Sequence, residues 1–433
     1  MKSLLILLDG LGDRSFGSLG KKTPLQAARS PYLDSLAKRG SSGLYHAGLF
    51  GQAMPSELAH LLIFGFEADD YPGRGPLEAL GAGIDLEPGE SAFLCHLASI
   101  EWKEEKAWLR ESRPPMEKHE AKELFAVLAT SFGEKDVSLY QTGLHDGVLV
   151  LKAPSSPEVT DTDPLVAGQP VARPVPLARA SGDSGARESA QCLEKVLVSA
   201  MDLLASHHVN RKREEEGLQP LNALLTQRGG SLRETPSFTG RYGLRGASIA
   251  SSTVYRGIAC YAGLDFYQDP DTDSPGEDLA RRLDKAGGLL PEYDFIHLHT
   301  KAPDAAAHKK DPRLKKKTIE ALDRSLAEKL PELIKDPDLL VAVMADHSTP
   351  SGGPLIHSGE PVPLLMYGKN VRVDRVRRYN EIDAAPGSLG HLRGKEFMLT
   401  ILNLMDRSRT LGFKEDPKEP PWWPGSYEIF ERK

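Results

Sequence analysis

The stretch LLVAVMADHSTPSGGPLIHSG, residues 339–359, decides the fold. An apolar run from Leu339 to Met344 is followed by Asp346 and His347, then by a Gly- and Pro-rich loop that carries His357. A continuous apolar run is typical of a parallel strand covered on both faces, and α/β proteins bind ligands beyond the carboxyl ends of such strands. The stretch therefore predicts an α/β fold with polar groups at this strand end. These groups could belong to an ordinary polar loop or to a metal site, and both interpretations remain open at this point.

Composition restricts the class of protein. The chain has 433 residues, of which 40% are hydrophobic and 27% charged, and this predicts a soluble globular protein with a large α/β domain and a second unit. The net charge of −7 argues against a nucleic-acid binder or a protein of anionic membranes. The 3 cysteines have no CxxC spacing, which favours a reducing cytoplasm. No apolar segment approaches the roughly 18–20 residues of a membrane-spanning helix.

The N-terminal part repeats the pattern of a strand that ends at a carboxylate. The apolar run Leu4 to Leu8 ends at Asp9. Farther along, Pro55 and Ser56 are typical of a helix start, and a helix N-terminus favours an anion. We therefore expect Asp9 and Ser56 to lie on the ligand side of the sheet.

The composition of the chain and the length of its predicted elements change between about residues 88 and 230. Short strand-like and helix-like pieces are separated there by a Pro-, Ser-, Gly- and Asp-rich stretch, residues 153–186, which predicts a long loop. We predict a core domain from residues 1–88 and 230–433, with a mainly parallel sheet and helices on both faces. Residues 89–229 would form an inserted, smaller α+β domain.

Carboxylates and imidazoles at the predicted strand ends point to metal chemistry. Asp304 and His308 are four residues apart, so a helical turn would place both on one side. The whole set is large enough for two divalent ions: Asp9, Asp304, His308, Asp346, His347 and His357. Two ions about 4 Å apart can clamp a phosphoryl group, and a metal can activate the Ser56 hydroxyl as a nucleophile.

Each of these residues has a simpler interpretation when taken alone. Asp9 before a glycine is common in turns, His308 is typical of a surface histidine, and Ser56 is typical of a helix cap. We expect the lysines of RLKKK, residues 313–317, to lie on a solvated helix face. The joint pattern in this order is much more specific than any single member.

Several segments together resemble a known family. They are LLDGLGDR (7–14), PSELAHLLIFGFEADDYPGRGPLEALGAGIDL (55–86), KAPDAAAH (301–308), DHSTP (346–350) and HSGEPVPLL (357–365). In this order they resemble the archaeal-type cofactor-independent phosphoglycerate mutases of the alkaline phosphatase superfamily. The resemblance runs from residue 4 to about residue 405.

The resemblance implies an alkaline-phosphatase-like core, and it implies that the inserted domain is a lid that excludes water. One metal site would contain Asp9, Ser56, Asp346 and His347, and the other Asp304, His308 and His357. Ser56 would attack the phosphate of 3-phosphoglycerate, become phosphoserine, and return the phosphate to the other hydroxyl of the trapped glycerate. Manganese is the first expectation, with zinc, magnesium and cobalt as alternatives.

The implied partner is a small phosphorylated carboxylic acid of glycolysis and gluconeogenesis in the cytoplasm, with no nucleic acid and no membrane. A homo-oligomer is compatible with the sequence.

The residues that would bind substrate depart from the family pattern. Leu94 stands where the family usually has an arginine, and Asp146 replaces the arginine of a His-Arg pair. Leucine offers no contact to phosphate, whereas a guanidinium offers two hydrogen bonds. The remaining basic candidates for holding the anion are Arg74, Arg256, Lys301, Arg213 and Arg228.

These replacements leave two rival functions open. The first is a metal-dependent phosphatase or a phosphonate or phosphodiester hydrolase, in which water resolves the phosphoserine. The second is a non-catalytic relative that binds a phosphorylated metabolite.

Overall fold

The computed structural model describes residues 1–133, 136–425, 427 and 429–432. The chain divides into two compact units, the first made of residues 1–71 with 235–433 and the second of residues 72–234. Among the described residues, no helix is both long enough and apolar enough to cross a membrane.

The strands and helices follow one another along the chain as follows. The strands are β1 (Lys2–Leu8), β2 (Ser41–His46), β3 (Ser91–Lys103), β4 (Lys106–Glu111), β5 (Val137–Gln141), β6 (Asp146–Leu151), β7 (Ala223–Gly230), β8 (Gly246–Ala250), β9 (Asp265–Gln268), β10 (Phe295–Thr300), β11 (Leu339–Met344), β12 (Val362–Tyr367) and β13 (Gly390–Arg393). The helices are α1 (Pro24–Ala27), α2 (Pro31–Arg39), α3 (Ser56–Ile63), α4 (Arg74–Ala82), α5 (Lys118–Phe132), α6 (Ser184–Ala205), α7 (His208–Glu215), α8 (Phe238–Tyr242), α9 (Thr253–Ala262), α10 (Pro275–Leu289), α11 (Ala302–His308), α12 (Pro312–Leu333) and α13 (Glu396–Leu404).

The first unit is built on a mainly parallel sheet. Its described strands form one 8-stranded sheet in the order β13-β2-β12-β11-β1-β10-β8-β9. The block from β11 to β9 is parallel throughout, and β12 runs antiparallel to both β11 and β2. Leu4 to Leu8 in β1 are each 0% exposed, so this central strand is covered on both faces, as its continuous apolar run predicts.

The helices of the first unit begin and end largely where the sequence signals them. Helix α2 ends at Arg39, directly before Gly40, and α3 begins directly after Pro55. Helix α12 begins after Asp311, whose side chain accepts hydrogen bonds from the backbone N–H groups of Arg313 and Leu314.

One expectation about α12 is wrong. Lys315, within the RLKKK segment, is 0% exposed instead of solvated. The reason is that its ammonium group forms an ion pair with Asp13 and donates hydrogen bonds to the carbonyl oxygens of Gly12 and Thr349 inside the unit.

The second unit is an α+β structure around an antiparallel sheet. The sheet order is β4-β3-β6-β5, and β7 also pairs with β3. Helices α5 and α6 contribute Leu124, Leu128, Leu193 and Leu197 to an apolar core with residues of β3, including Phe93. Helix α4 packs on β3 and β7 and therefore belongs to this unit. The two sheets confirm the predicted fold class, a mainly parallel α/β sheet with a smaller inserted α+β part.

Candidate functional site

Polar residues meet at one edge of the first sheet. Strands β1, β10 and β11 are parallel neighbours, so the residues that follow their carboxyl ends emerge at the same edge. Asp9, Asp304 and Asp346 follow these three strands, Ser56 is the first residue of α3, and His357 lies in the loop before β12. The structure therefore brings together residues that are up to about 350 positions apart in the sequence.

One group of side chains surrounds the imidazole of His347. Its Nε2 atom lies 2.9 Å from Ser56 Oγ, 3.1 Å from Asp346 Oδ2 and 3.6 Å from Asp9 Oδ1. Asp9, Asp346 and His347 each place one ligand atom within 4.8 Å of the others, close enough to share a metal ion.

A second group lies around Asp304. Its carboxylate oxygens lie 3.2 Å from His308 Nε2 and 3.7 Å from His357 Nε2. The rings of His347 and His357 stack with their centroids 3.8 Å apart, and Asp304, His347 and His357 form another set able to hold an ion. His347 is thus within reach of both groups, whereas the family resemblance implied that it belongs to one.

The predicted metal ligands differ in how deeply they are buried. Asp9 and Asp304 are 0% exposed and Asp346 is 1% exposed, whereas the His308 side chain is 39% exposed. Ser56 is buried, and the N-cap of α3 is Pro55, so the Ser56 hydroxyl is not a helix cap.

The carboxylates of this pocket shift each other's ionisation. Burial opposes ionisation of Asp9, but Lys301 and a hydrogen bond from His299 more than offset it, and the pKa of Asp9 lies well below its usual range. Burial, followed by repulsion from Asp9, raises the pKa of Asp346 well above its usual range. Burial lowers the pKa of His347 to about 3, so its imidazole is neutral at pH 7. A neutral imidazole has a nitrogen lone pair free for a metal.

The donor set fits divalent metal ions. Within residues 1–133 and 136–425, Asp9 Oδ1 and Asp346 Oδ2 are buried and accept no hydrogen bond. Uncompensated buried carboxylate oxygens are costly, and a divalent cation between them would remove that cost. Carboxylate oxygens with imidazole nitrogens are ligands that zinc, manganese and related ions accept.

Two further residues contact the predicted ligand Asp9, and sequence reasoning did not single them out. Tyr255 donates a hydrogen bond of 2.6 Å to Asp9 Oδ2, and His299 Nε2 lies 2.9 Å from the same atom. His299 sits in the HLHT segment at the end of β10, two positions from Lys301, and its place beside the strand end is the signal that could have identified it. Such outer contacts fix the orientation of a metal ligand.

Two of the predicted substrate residues lie in the first unit. Lys301 Nζ is 3.0 Å from Asp304 Oδ2 and 3.7 Å from Asp9 Oδ2, so the structure brings it into the carboxylate pocket. Arg256 is exposed on α9, directly after Tyr255. The Lys301 ammonium group is therefore paired with two buried carboxylates.

The other predicted substrate residues lie in the second unit. Arg74 forms an ion pair of 2.7 Å with Glu78, and Arg228 is exposed with its backbone N–H bonded to Asp161. Arg213 is 2% exposed and donates to Glu120 and to the carbonyl oxygens of Gln219 and Pro115. Its guanidinium is therefore already engaged in holding this unit together.

Leu94 and Asp146, the two residues that depart from the family pattern, both lie in the second unit. Leu94 is 6% exposed in β3, where it is paired with Val148 and Gln227. Asp146 lies at the start of β6 and forms an ion pair of 2.9 Å with Arg113. The Asp146 carboxylate thus partly neutralises the charge of Arg113.

Comparisons with known proteins agree with one another. A family model described as 2,3-bisphosphoglycerate-independent phosphoglycerate mutase matches residues 37–210. A curated protein of Methanocaldococcus jannaschii named 2,3-bisphosphoglycerate-independent phosphoglycerate mutase 2 is 37% identical, and the match covers 99% of each chain. The Methanopyrus kandleri mutase is 36% identical, with 95% of this chain and 98% of the relative covered.

Solved structures extend the match to the fold. A structure from Pyrococcus horikoshii aligns with a TM-score of 0.79 at 31% identity, covering 95% of this chain and 99% of the other. The cofactor-independent phosphoglycerate mutase of Thermoplasma acidophilum aligns with a TM-score of 0.63 at 28% identity, covering 94% of this chain and 100% of the other. The chain belongs to the family of 2,3-bisphosphoglycerate-independent phosphoglycerate mutases.

Proposed function

We propose that this protein is an isomerase that interconverts 3-phosphoglycerate and 2-phosphoglycerate through a phosphoserine at Ser56. Membership of the mutase family supports the reaction. The observation that carries the role of Ser56 is its hydroxyl oxygen, 2.9 Å from the His347 Nε2 atom that also lies near the buried carboxylates of Asp346 and Asp9. A serine placed only to cap a helix has no need of such surroundings.

Ser56 is suited to phosphoryl transfer by its place in α3. As the first helical residue it lies among backbone N–H groups that have no partner within the helix, and these groups and the helix dipole favour a phosphate. The Ser56 oxygen bonds to phosphorus as the bond from phosphorus to the 3-oxygen of the substrate breaks, and the proton lost from the serine hydroxyl ends on that 3-oxygen as the hydroxyl of glycerate. The reverse transfer, to the 2-oxygen, regenerates the serine hydroxyl.

Two divalent ions complete this site in our proposal. Asp9, Asp346 and His347 would hold one of them beside Ser56. Asp304 would hold the other together with His308 and His357, whose Nε2 atoms lie 3.2 and 3.7 Å from its carboxylate oxygens. The ions, when bound, lower the pKa of the serine hydroxyl and neutralise charge on the transferring phosphoryl group. We propose manganese because the ligands combine carboxylate, imidazole and hydroxyl, with zinc, magnesium and cobalt as alternatives.

Basic residues and the second unit would control the substrate. Lys301 reaches into the carboxylate pocket and is the main candidate for holding the phosphate or carboxylate of the substrate. Arg256, Arg74 and Arg228 remain candidates, whereas the engaged guanidinium of Arg213 is left out. In this proposal the second unit is a lid that keeps water from the phosphoserine, and the enzyme serves glycolysis and gluconeogenesis in the cytoplasm.

The decisive experiment combines a phosphoenzyme assay with product analysis. Manganese-loaded protein is incubated with 3-phosphoglycerate, and Ser56 phosphorylation is read by mass spectrometry beside 2-phosphoglycerate and free phosphate. We expect Ser56→Ala to abolish phosphorylation and to lower isomerisation by at least about 10³-fold. Ser325→Ala is the matched control, because this buried serine donates to the carbonyl of Gly276 within the helix packing and should change neither readout.

Two outcomes would contradict the proposal. Release of free phosphate without any 2-phosphoglycerate would assign the protein to the hydrolases. Isomerisation that survives Ser56→Ala would remove the covalent step.

A further inference from the structure

The buried hydroxyl of Thr349 touches residues of both candidate metal groups. Thr349 is 0% exposed, and its Oγ1 atom lies 2.8 Å from Asp304 Oδ1 and 3.1 Å from His347 Nδ1. Asp304 is the centre of one group, and His347 is the imidazole of the other. A single side chain therefore contacts both groups.

The proton count at Thr349 selects one tautomer of His347. A hydroxyl has one hydrogen to donate, and an ionised carboxylate only accepts, so the Thr349 hydrogen goes to Asp304. The contact of 3.1 Å with His347 then requires the Nδ1–H group of that histidine to donate to the threonine oxygen. Nε2 is left with its lone pair, and it faces Ser56 Oγ at 2.9 Å.

Backbone anchors hold Thr349 in place. The buried Lys315 donates hydrogen bonds of 2.9 Å to the carbonyl oxygens of both Thr349 and Gly12, and it pairs with Asp13 Oδ2 at 3.1 Å. Lys315 thus ties the loop after β11 to the loop after β1.

Glycine at position 10 leaves the room that the Thr349 hydroxyl occupies. Gly10 has φ of +64°, and a Cβ atom there would lie 2.5 Å from Thr349 Oγ1 and 2.8 Å from Asp304 Cβ. Its N–H also donates to Asp346 Oδ1 at 3.1 Å. Close approach and positive φ therefore both require glycine.

We propose that Thr349 is a positioning residue that sets the tautomer of His347 and the orientation of Asp304 at the same time, so that one hydroxyl aligns the ligands of both metal ions. This inference rests on the proposed function, since the ions belong to that site. Residues that orient metal ligands in this way contribute about 10- to 100-fold to metal affinity.

The test measures metal binding in the full chain. Mn²⁺ is titrated by calorimetry into metal-free wild type, Thr349→Val, Thr349→Ser and Thr318→Val. Valine keeps the shape of threonine without the hydroxyl, and serine keeps the hydroxyl. Thr318 is a matched control because its hydroxyl donates only to the Leu314 carbonyl of its own helix.

We expect Thr349→Val to raise the Kd for Mn²⁺ about 10- to 100-fold, with Thr349→Ser and Thr318→Val close to wild type. Wild-type affinity in Thr349→Val would overturn the inference. So would an equal loss in Thr318→Val, which would show that any lost buried hydroxyl has the same effect.

A second measurement reads the tautomer in the wild type itself. ¹⁵N NMR of the metal-free wild type, with His347 assigned by its loss in His347→Asn, should show the Nδ1–H tautomer, and an Nε2–H signal would overturn the inference. The tests also separate this inference from the proposed function. If the wild type fails to bind two ions, the proposed function falls, and the tautomer still tests the role of Thr349.

Discussion

Replacing Lys315 by methionine should destabilise the first unit strongly. The Lys315 ammonium group is buried 3.1 Å from Asp13 Oδ2 and donates to the carbonyl oxygens of Gly12 and Thr349. Methionine has a similar length but no charge and no donor. Lys315→Met therefore leaves the Asp13 carboxylate without its cation and two buried carbonyl groups without this donor.

The magnitude follows from the kind of contact that is lost. Breaking a buried ion pair by removal of one partner costs about 3–5 kcal/mol, because the remaining charge stays buried. Asp13 keeps hydrogen bonds from the backbone N–H groups of Ser351 and Arg14, which favours the lower half of that range. Since each 1.4 kcal/mol is about tenfold in an equilibrium constant, global opening should become roughly 10²- to 10³-fold more frequent.

Hydrogen exchange read by mass spectrometry measures this opening where it occurs. The peptides to follow cover β1 and β11, whose apolar residues are fully or almost fully buried in the first unit. Lys317→Met is the matched control, since Lys317 is exposed on the same helix and should change stability by no more than about 0.5 kcal/mol. Asp13→Asn combined with Lys315→Met should recover part of the loss, because the unpaired charge is gone.

Equal exchange rates in Lys315→Met and Lys317→Met would refute the reasoning. That result would mean that the buried ammonium group contributes no more to stability than a solvated one.

Two further predictions concern the ions and pH. Chelation of a manganese-loaded sample should lower the free energy of unfolding by about 2.7 kcal/mol per site if the free ion was at 100 times its Kd. Calorimetry should then show a lower Tm in the presence of the chelator. An unchanged Tm would contradict the proposal that the protein binds metal ions at these sites. Burial, followed by the nearby His299, lowers the pKa of His60 from 6.5 to about 3, so below pH 6.5 the unfolded chain takes up a proton that the folded chain refuses. As the pH is lowered from 6.5 to 3, this residue should therefore reduce the free energy of unfolding by about 1.4 kcal/mol per pH unit. Urea titrations at several pH values should show that the free energy of unfolding depends less steeply on pH in His60→Gln than in wild type.

Much of the fold was predictable because it depends on short-range patterns. The apolar runs Leu4–Leu8 and Leu339–Met344 are strands of the central sheet, and α3 begins directly after Pro55 as expected. Such signals depend on burial and on local backbone preference, and both can be read within a few residues.

The support around the site was not predictable in the same way. Lys315 looked like one solvated lysine among several, and Thr349 looked like a loop residue, because neither has a local signal. Their contacts join the loop after β1 to α12 and to the loop after β11, across about 300 residues of chain. A hydrogen bond over such a separation depends on how the strands are ordered in the sheet.

The sequence by itself determined the class of the fold, the order of the ligand-type residues along the chain and the resemblance to a mutase family. Only the tertiary structure decided that His347 faces both groups of carboxylates, that one threonine hydroxyl contacts both groups, and that the Arg213 guanidinium is engaged within its own unit. The physical reason is that residue type and spacing set local conformation and burial. The distance and direction between side chains at one sheet edge arise only when β1, β10 and β11 lie side by side.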